Sequence, residues 1–355
     1  MQTDKITGTR NHYIDNLRSI SILLLFPVHT FMIWNNFGSG FYIWLGESKI
    51  YSTLIVLINP WFMPLLFLLA GISAKLSLEK RTVKEFIKQR INKLLIPFVS
   101  GMVFLVPIQT LYARKFFYNY KGGFIENWCY FFTHFTDLSG YDGAFTPGHL
   151  WFILYLFIIS MLSLIIFHYL PYKKTVLLTG KLHISCIMSL FIPICLMYYI
   201  GNFGGFSIGK SLAFYLAGYY IISNKAVMEN VERNIKWITL LCIMATLASA
   251  ILYYKYSFYG DLWVSYIGWN TILVLLVYGK RFLNKKTKFM EFARHASYPV
   301  YILHQSILVA LAYYIVRLCN NIAVQAVLTC IGSLLLTIMA YYILRKIPVV
   351  RKITG

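Results

Sequence analysis

The sequence predicts an all-α protein, a polytopic membrane helix bundle of about ten transmembrane helices with both termini in the cytoplasm. Of the 355 residues, 59 % are hydrophobic and only 13 % are charged. The mean hydropathy of +0.64 is well above that of an ordinary soluble domain. Long apolar segments recur along the whole chain, and a helix needs about 20 such residues to cross a bilayer.

Ten segments qualify as candidate spans. They cover residues 14–35, 52–75, 93–112, 149–169, 183–200, 207–223, 235–254, 263–279, 297–317 and 322–344. The sections between them include a polar loop at 36–50, the 113–148 stretch and a glycine-rich turn at 201–205. No internal repeat or linker is visible, so residues 1–355 are predicted to form one integral-membrane domain.

Charge sets the orientation of these spans. The chain has 33 Lys and Arg residues against 12 Asp and Glu, and cytoplasmic loops of membrane proteins are enriched in Lys and Arg. With a cytoplasmic N-terminus, most of the cations fall in inner loops and in the tail, seven of them between Lys75 and Lys93. This clustering in alternate loops differs from a basic groove lined by stacking aromatics, so nucleic acid is not an expected partner. Membrane lipids are an expected partner, and the expected location is the plasma or inner membrane.

Arg18 and His29 are the first candidate site residues. They lie eleven positions apart in the first span, an advance of about 1100°, or three turns plus roughly 20°, on an α-helix. Both side chains are therefore predicted to share one helix face, about 16 Å apart along the axis. Ionisable groups inside a span usually mark a working site. Asp15, three residues before Arg18, is predicted to pair with it or to complement the helix dipole.

Simpler roles compete with each of these assignments. Arg18 can be an inner-surface anchor whose side chain extends to the headgroups, and His29 can form a hydrogen bond between helices. The basic 75–93 loop can serve only as a topology signal or bind anionic lipids. It can also clamp the phosphates of an anionic cofactor, a task for Arg90 and Lys93.

Two other histidines are candidates with a competing packing role. His149 is predicted at the outer end of the fourth span, and His304 about two turns into the ninth. The outer 113–148 loop, rich in aromatics and glycine, suits a polar ligand or forms an interfacial aromatic helix over 116–132. The six cysteines have no metal-ligand spacing, and no hydrolase, P-loop or Rossmann motif is present.

Five short motifs, in order along the chain, resemble those of a known family. The first is an arginine followed, after ten residues, by a histidine, which Arg18 and His29 supply. The others are Phe67-Leu68-Leu69-Ala70-Gly71, Arg90-Ile91-Asn92-Lys93-Leu94-Leu95-Ile96-Pro97-Phe98, His149-Leu150-Trp151-Phe152 and Tyr298-Pro299-Val300-Tyr301-Ile302-Leu303-His304. Together they resemble the membrane acyltransferase-3 family over almost the whole chain, most of all its periplasmic-glucan succinyltransferase branch.

Two positions depart from the family pattern. Lys93 replaces the second arginine of Arg-x-x-Arg, which keeps the charge but loses bidentate contact with phosphate. Ala70 replaces the usual serine beside Gly71, so no hydroxyl is available there. No additional soluble domain is expected, so specificity is predicted to reside in the membrane part.

The resemblance implies transfer of an acyl group, acetyl or succinyl, from cytosolic acyl-CoA to a carbohydrate hydroxyl outside the membrane. Arg90 and Lys93 would hold the CoA phosphates, and Arg18 would orient the donor. His29 would act as general base or as a nucleophile in an acyl-histidine route. The remaining motif residues are assigned lesser roles: His149 and Trp151 on the acceptor side, with Asp15, Tyr301 and His304 as supporting residues.

Two functions from other classes remain open on sequence alone. A secondary transporter or flippase for an anionic or glycan-linked substrate would use the same intramembrane Arg and His as a binding site or proton relay. Against it, no inverted pair of Gly/Pro-broken spans is visible. A sensor or scaffold without chemistry would leave the alignment of Arg18 with His29 unexplained.

Overall fold

The described part of the chain is almost entirely helical. The structure is a computed structural model that describes residues 11–38, 40–46, 48–203 and 206–347. Its α-helices are α1 (His12–Leu23), α2 (Leu25–Met32), α3 (Lys49–Ile58), α4 (Phe62–Leu78), α5 (Val83–Arg90), α6 (Ile96–Phe104), α7 (Val106–Phe117), α8 (Phe124–Thr133), α9 (Trp151–Tyr169), α10 (Tyr172–Thr179), α11 (Ile184–Met188), α12 (Phe191–Met197), α13 (Ile208–Ala217), α14 (Lys225–Arg233), α15 (Ile235–Tyr256), α16 (Asp261–Phe282), α17 (Lys288–Leu318) and α18 (Ile322–Leu344).

Short irregular elements join or interrupt these helices. Two π-helices cover Ile91–Leu95 and Gly218–Ile222, and a 3₁₀ turn covers Gly148–Leu150. Strands β1 (Asn202–Phe203) and β2 (Phe206–Ser207) form a two-residue antiparallel pair. The predicted all-helical class is therefore confirmed. Lys5, Arg10, Arg351 and Lys352, which the predicted topology assigns to the cytoplasmic side, lie outside the described residues.

Seven of the described helical segments are long and apolar enough to cross a bilayer. They are Lys49–Leu78, Val83–Phe117, Gly148–Tyr169, Ile235–Tyr256, Asp261–Phe282, Lys288–Leu318 and Ile322–Leu344. Two further apolar segments are shorter, Ile184–Met197 and Ile208–Ile222. The first predicted span corresponds to α1 and α2. All ten predicted segments thus coincide with helices, and a multi-pass membrane architecture is confirmed.

The first span is interrupted between its two candidate residues. Helices α1 and α2 follow one another, and Leu24 between them keeps helical dihedrals (φ −66°, ψ −16°). Pro27 has no amide proton, so the carbonyl of Leu23 lacks its usual donor four residues on. The two helices therefore join through one residue with helical dihedrals, and the hydrogen bonds from Leu24 to Ile20 and from Val28 to Leu24 continue on either side of the missing bond.

Glycines bring helix backbones into direct contact at the centre of the bundle. A Cβ on Gly71 of α4 would lie 1.9 Å from the carbonyl oxygen of Tyr215 in α13. A Cβ on Gly218, where α13 becomes a π-helix, would lie 2.1 Å from the carbonyl oxygen of Leu68. Small residues permit this close approach in membrane helices. The contact holds α4 in place against α13.

The predicted 113–148 loop is partly helical. It includes the end of α7 and the short helix α8. Helix α8 overlaps residues 116–132, where an interfacial aromatic helix was one of the two predictions. Asn127 of α8 donates to the carbonyl of Pro107 at 3.0 Å. The Arg114 guanidinium lies between the rings of Tyr120 and Tyr130, at 3.9 and 4.0 Å from their centroids. These contacts attach α8 to the end of α7.

Candidate active site

Helix α17 organises the site because Ser297 and the motif residues Tyr298 and Tyr301 contact three other parts of the bundle. The Ser297 hydroxyl lies 2.8 Å from that of Ser19 in α1. The Tyr298 hydroxyl donates to the carbonyl of Lys93 at 2.5 Å, and the Tyr301 hydroxyl donates to the carbonyl of His149. The late motif of the sequence is thus bonded directly to the basic motif and to the fourth-span motif.

His304 of α17 lies against His29 of α2. The Nε2 atom of His304 is 3.1 Å from Nδ1 of His29, and the two rings stack with centroids 5.1 Å apart and planes at 18°. The other nitrogen of His304, Nδ1, is 2.6 Å from the carbonyl oxygen of Tyr301. His304 is fully buried, whereas His29 is only partly buried. His29 is therefore the member of the pair with remaining access to a ligand.

His149 completes a cluster of three imidazoles. Its ring lies edge-on to that of His304, with centroids 5.1 Å apart. Its Nε2 atom is 2.8 Å from the carbonyl oxygen of Ile302, and Gln109 places an amide nitrogen 3.0 Å from its Nδ1. A carbonyl can only accept, so Nε2 of His149 carries the proton and Nδ1 accepts from Gln109. Both nitrogens of His149 are engaged, as expected of a residue that holds the site together.

Gln109 and Ser306 link this cluster to the backbone through a chain of hydrogen bonds. The same Gln109 amide group donates to the Ser306 hydroxyl at 2.9 Å, and Ser306 in turn donates to the carbonyl of Leu105 at 2.9 Å. Both side chains are buried within apolar spans. Sequence reasoning did not single them out, although a glutamine inside an apolar run is a usable signal.

The 33–48 segment closes one side of the cluster. Phe41 is 4 % exposed and stacks on His29, with centroids 5.9 Å apart and planes at 18°. The Tyr141 hydroxyl, from the 113–148 region, donates to the carbonyl of Gly40 at 2.6 Å. Burial raises the pKa of Tyr141, and the neighbouring Asp137 carboxylate adds to this effect, so the hydroxyl remains a donor at neutral pH.

Arg18 does not join the histidines. Its guanidinium is 3.2 Å from the Asp15 carboxylate and 3.1 Å from the Ser73 hydroxyl of α4. About a third of the side chain, 34 %, stays exposed. The predicted pairing of Asp15 with Arg18 is therefore confirmed. Ser73 was not predicted, because nothing in the sequence distinguishes it from other serines in apolar runs.

Ser73 also lines a basic cleft, so Arg18 and the cleft meet at this residue. The cleft has a volume of ≈ 270 Å³ and is lined by Ser73, Leu76, Ser77, Lys80, Arg81, Gln89 and Arg90. A neighbouring depression of ≈ 360 Å³ shares Arg81 and Gln89 with it and adds Glu85, Lys88, Asn92 and Lys93. Arg90 and Lys93, two of the three predicted cofactor-binding residues, thus lie in adjoining clefts of strongly positive character. Arg18, the third, contacts Ser73 at the edge of the first cleft.

A π-helix sets the direction of these two cations. Ile96 donates its amide to the carbonyl of Ile91, five residues earlier. Pro97 has no amide proton and leaves the Lys93 carbonyl without a helix donor, and Tyr298 supplies the missing bond. Insertions of this type often occur at functional sites. They shift nearby side chains relative to a regular helix, here Arg90 directly before the π-helix and Lys93 within it.

Arg90 retains an unused donor. Its guanidinium lies over the Phe86 ring, 4.6 Å from the centroid. Its Nε atom is buried and has no hydrogen-bond partner among the described residues. An unpaired buried donor costs about 1–3 kcal/mol, and an anion in the cleft would remove that cost. Trp151, two residues after His149, stacks on Phe206 with centroids 4.2 Å apart and also contacts the Phe152 ring.

Comparison with known proteins identifies the family of this chain. Residues 11–342 match the acyltransferase-3 family, described as an acyltransferase domain. Glucans biosynthesis protein C of Salmonella gallinarum is 24% identical over 178 residues, 48% of this chain and 42% of that protein. Glucans biosynthesis protein C of Escherichia coli K12 is 25% identical over 168 residues, 46% of this chain and 40% of that protein.

The aligned part spans less than half the length of either relative, and no solved structure gives a significant match. The family match, however, covers nearly the whole chain. It includes all three histidines of the cluster, Arg18 and both basic clefts. The chain therefore belongs to the acyltransferase-3 family and is a multi-pass membrane protein.

Proposed function

We propose that this protein moves an acetyl or succinyl group from cytosolic acyl-CoA to a hydroxyl of a carbohydrate outside the membrane, with His29 as general base. One observation carries the proposal: a single helix pair, α1 and α2, connects a cation-lined cleft to a buried imidazole cluster. Arg18 contacts Ser73 at the cleft, and His29 contacts His304 in the cluster.

The proposed topology has ten spans with both termini in the cytoplasm. It counts the α1–α2 pair and the two shorter apolar segments as spans, in addition to the seven long ones. The distribution of Lys and Arg supports it, because the clefts around Lys80, Arg81, Arg90 and Lys93 then face the cytosol. Acyl-CoA is a cytosolic anion, and this is the side from which it would arrive.

The donor would bind with its phosphates in the basic clefts. Arg90 has a free Nε donor for a phosphate oxygen, and Arg81 and Lys93 add charge close by. The slender pantetheine arm would then run past Arg18 toward His29. Eleven helical residues rise about 16 Å, a distance comparable to the length of that arm.

The chemical step needs one base. His29 would take the proton of the acceptor hydroxyl through a ring nitrogen while the oxygen attacks the thioester carbon. The tetrahedral intermediate would then collapse, the carbon–sulfur bond would break, and the departing thiolate would recover the proton from His29. The ester product and free CoA balance the reaction, and no metal or redox cofactor is required.

A glucan is the proposed acceptor because the relatives are named for glucan biosynthesis. The acceptor would enter on the side of the 113–148 region. There Phe41 covers His29, and Tyr141 holds the neighbouring Gly40 carbonyl. His149 borders this side and Trp151 lies farther along it. Opening of the cover would expose His29 to a hydroxyl.

The test uses purified full-length protein in lipid nanodiscs with radiolabelled acetyl-CoA or succinyl-CoA and a short glucose oligosaccharide. We expect release of CoA and label on the sugar, both dependent on the oligosaccharide and both absent with His29→Ala. Movement of oligosaccharide across sealed vesicles without consumption of acyl-CoA would contradict the proposal and support the transporter.

A further inference from the structure

We propose that His304 is a positioning residue, which holds His29 in one tautomer so that Nε2 of His29 is the base. The inference rests on the proposed function for its kinetic consequences, but the tautomer itself is a property of the resting protein. It follows from a chain of three groups, the Tyr301 carbonyl, His304 and His29.

The first step is the proton of His304. Nδ1 of His304 is 2.6 Å from the carbonyl oxygen of Tyr301, and a carbonyl oxygen only accepts. Nδ1 therefore carries a proton. A neutral imidazole has one N–H, so Nε2 of His304 presents a lone pair.

A second proton on His304 is disfavoured by its surroundings. The ring is fully buried. Its ring neighbours in the described ranges are Phe26, His29, His149 and Tyr301, and none of them is an anion. A buried cation without a counter-ion is costly, so His304 is neutral and its Nε2 is an acceptor.

The second step is the proton of His29. Its Nδ1 faces that acceptor at 3.1 Å, so Nδ1 of His29 donates. The single proton of neutral His29 is thereby located, and Nε2 is left with the lone pair a general base needs. In the other tautomer, Nε2 would present a proton to the acceptor hydroxyl and could not remove one.

His304 is itself held in place by the helix that carries it. Its anchor is the carbonyl of Tyr301, one turn earlier on α17, and the Tyr301 hydroxyl is bonded to the carbonyl of His149. Phe26 lies edge-on to the ring at 5.7 Å. A ring so enclosed does not rotate to exchange its two nitrogens, so the assignment persists through a catalytic cycle.

The same contact strengthens during the reaction. When Nε2 of His29 takes the proton, the ring becomes a cation and its Nδ1–H donates to His304 with greater strength, because charge-assisted hydrogen bonds are about twice as strong as neutral ones. His304 thus orients the base and stabilises the charge on it. A carboxylate has this role in the serine protease triad, where loss of the correct tautomer costs about 10⁴ in kcat.

Two substitutions of similar size separate orientation from packing. In His304→Gln the amide oxygen can still accept from Nδ1 of His29, whereas His304→Leu fills the space without an acceptor. We expect His304→Leu to lower kcat about 100-fold or more with little change in either KM, and His304→Gln to recover most of that loss. Equal losses in the two variants would overturn the positioning role.

A spectroscopic measurement tests the tautomer without relying on turnover. The ¹⁵N shifts of labelled histidines in nanodiscs distinguish Nδ1–H from Nε2–H, and the His29→Asn spectrum assigns the signal. We expect His29 as Nδ1–H in the wild type and in His304→Gln, and a mixture in His304→Leu. Observation of Nε2–H in the wild type would refute the inference. Protonated Nδ1 without any acyl transfer would refute only the proposed reaction.

Discussion

The histidine cluster and the basic clefts differ in how completely their polar groups are satisfied. In the cluster, both nitrogens of His149 and both nitrogens of His304 have partners within 3.1 Å, although the Oε1 atom of the supporting Gln109 has none among the described residues. In the clefts, Arg90 Nε is buried without a partner in the described part of the chain, and the cations Lys80, Arg81 and Lys93 surround open volume.

This difference is the one expected between a preorganised site for the proposed base and a site for an anion. A general base must keep one geometry, which the hydrogen bonds among these three imidazoles and their carbonyl and amide partners provide. An anion-binding cleft must instead leave donors available, at a cost to the free protein that the ligand removes. Changes in the cluster should therefore affect kcat, and changes in the clefts should affect the KM for the donor.

The largest expected effect is that of His29→Ala. Removal of a general base lowers kcat about 10²–10⁴-fold, and the partly buried ring leaves only a small space, so the protein should remain folded and inserted. Acyl transfer with labelled donor measures the loss. His168→Ala, at an exposed position, is the control and should retain activity. Wild-type product levels from His29→Ala would remove the base from the mechanism.

The next effect is that of Arg90→Ala combined with Lys93→Ala. Charged hydrogen bonds contribute about 1.5–3 kcal/mol each, so the KM for acyl-CoA should rise at least tenfold with kcat and acceptor KM nearly unchanged. The control is Lys173→Ala with Lys174→Ala, which removes two exposed cations of α10. If kcat fell and the donor KM stayed unchanged, the clefts would not act in donor binding, and the assignment of binding to the clefts and chemistry to the cluster would be wrong.

A smaller effect is expected from Tyr298→Phe, which removes the bond that joins the two regions. The Lys93 carbonyl would lose its donor at a cost of about 1 kcal/mol. We expect a modest rise in donor KM, about fivefold or less, and a lower unfolding temperature. Tyr169→Phe, at a 79% exposed position, should change neither quantity. A kcat effect alone would place Tyr298 with the histidines.

The smallest effect is that of salt. Raising the ionic strength from about 0.05 to about 0.5 M shortens the Debye length from more than 10 Å to less than 5 Å, so exposed cations attract the donor less. The donor KM should rise a few-fold while kcat, set in the buried cluster, stays constant. The slope should be shallower in the Arg90/Lys93 double variant. If kcat depended on salt as strongly as the donor KM does, the exposed cations would not act in donor binding alone, which would contradict the proposed role of the clefts.

Much of this arrangement was predictable from local sequence. Long apolar runs indicated the helices of the ten predicted segments but not the polar helices α5, α10 and α14, and the i, i+3 spacing indicated the pair of Asp15 and Arg18. The candidate histidines were found because ionisable groups are rare in spans. Ser73 and Ser306 were missed, because a serine in an apolar run carries no signal until its neighbour is known.

The amino-acid sequence by itself determined the helical membrane class, the family and the residues that carry chemistry, because these depend on composition and on short-range spacing. Only the tertiary structure decided that His29 and His304, 275 residues apart, share a hydrogen bond, and that Arg18 lies with Ser73 instead. Such contacts depend on how helices pack and on where prolines and glycines interrupt them. That packing sets which nitrogen of His29 bears the proton.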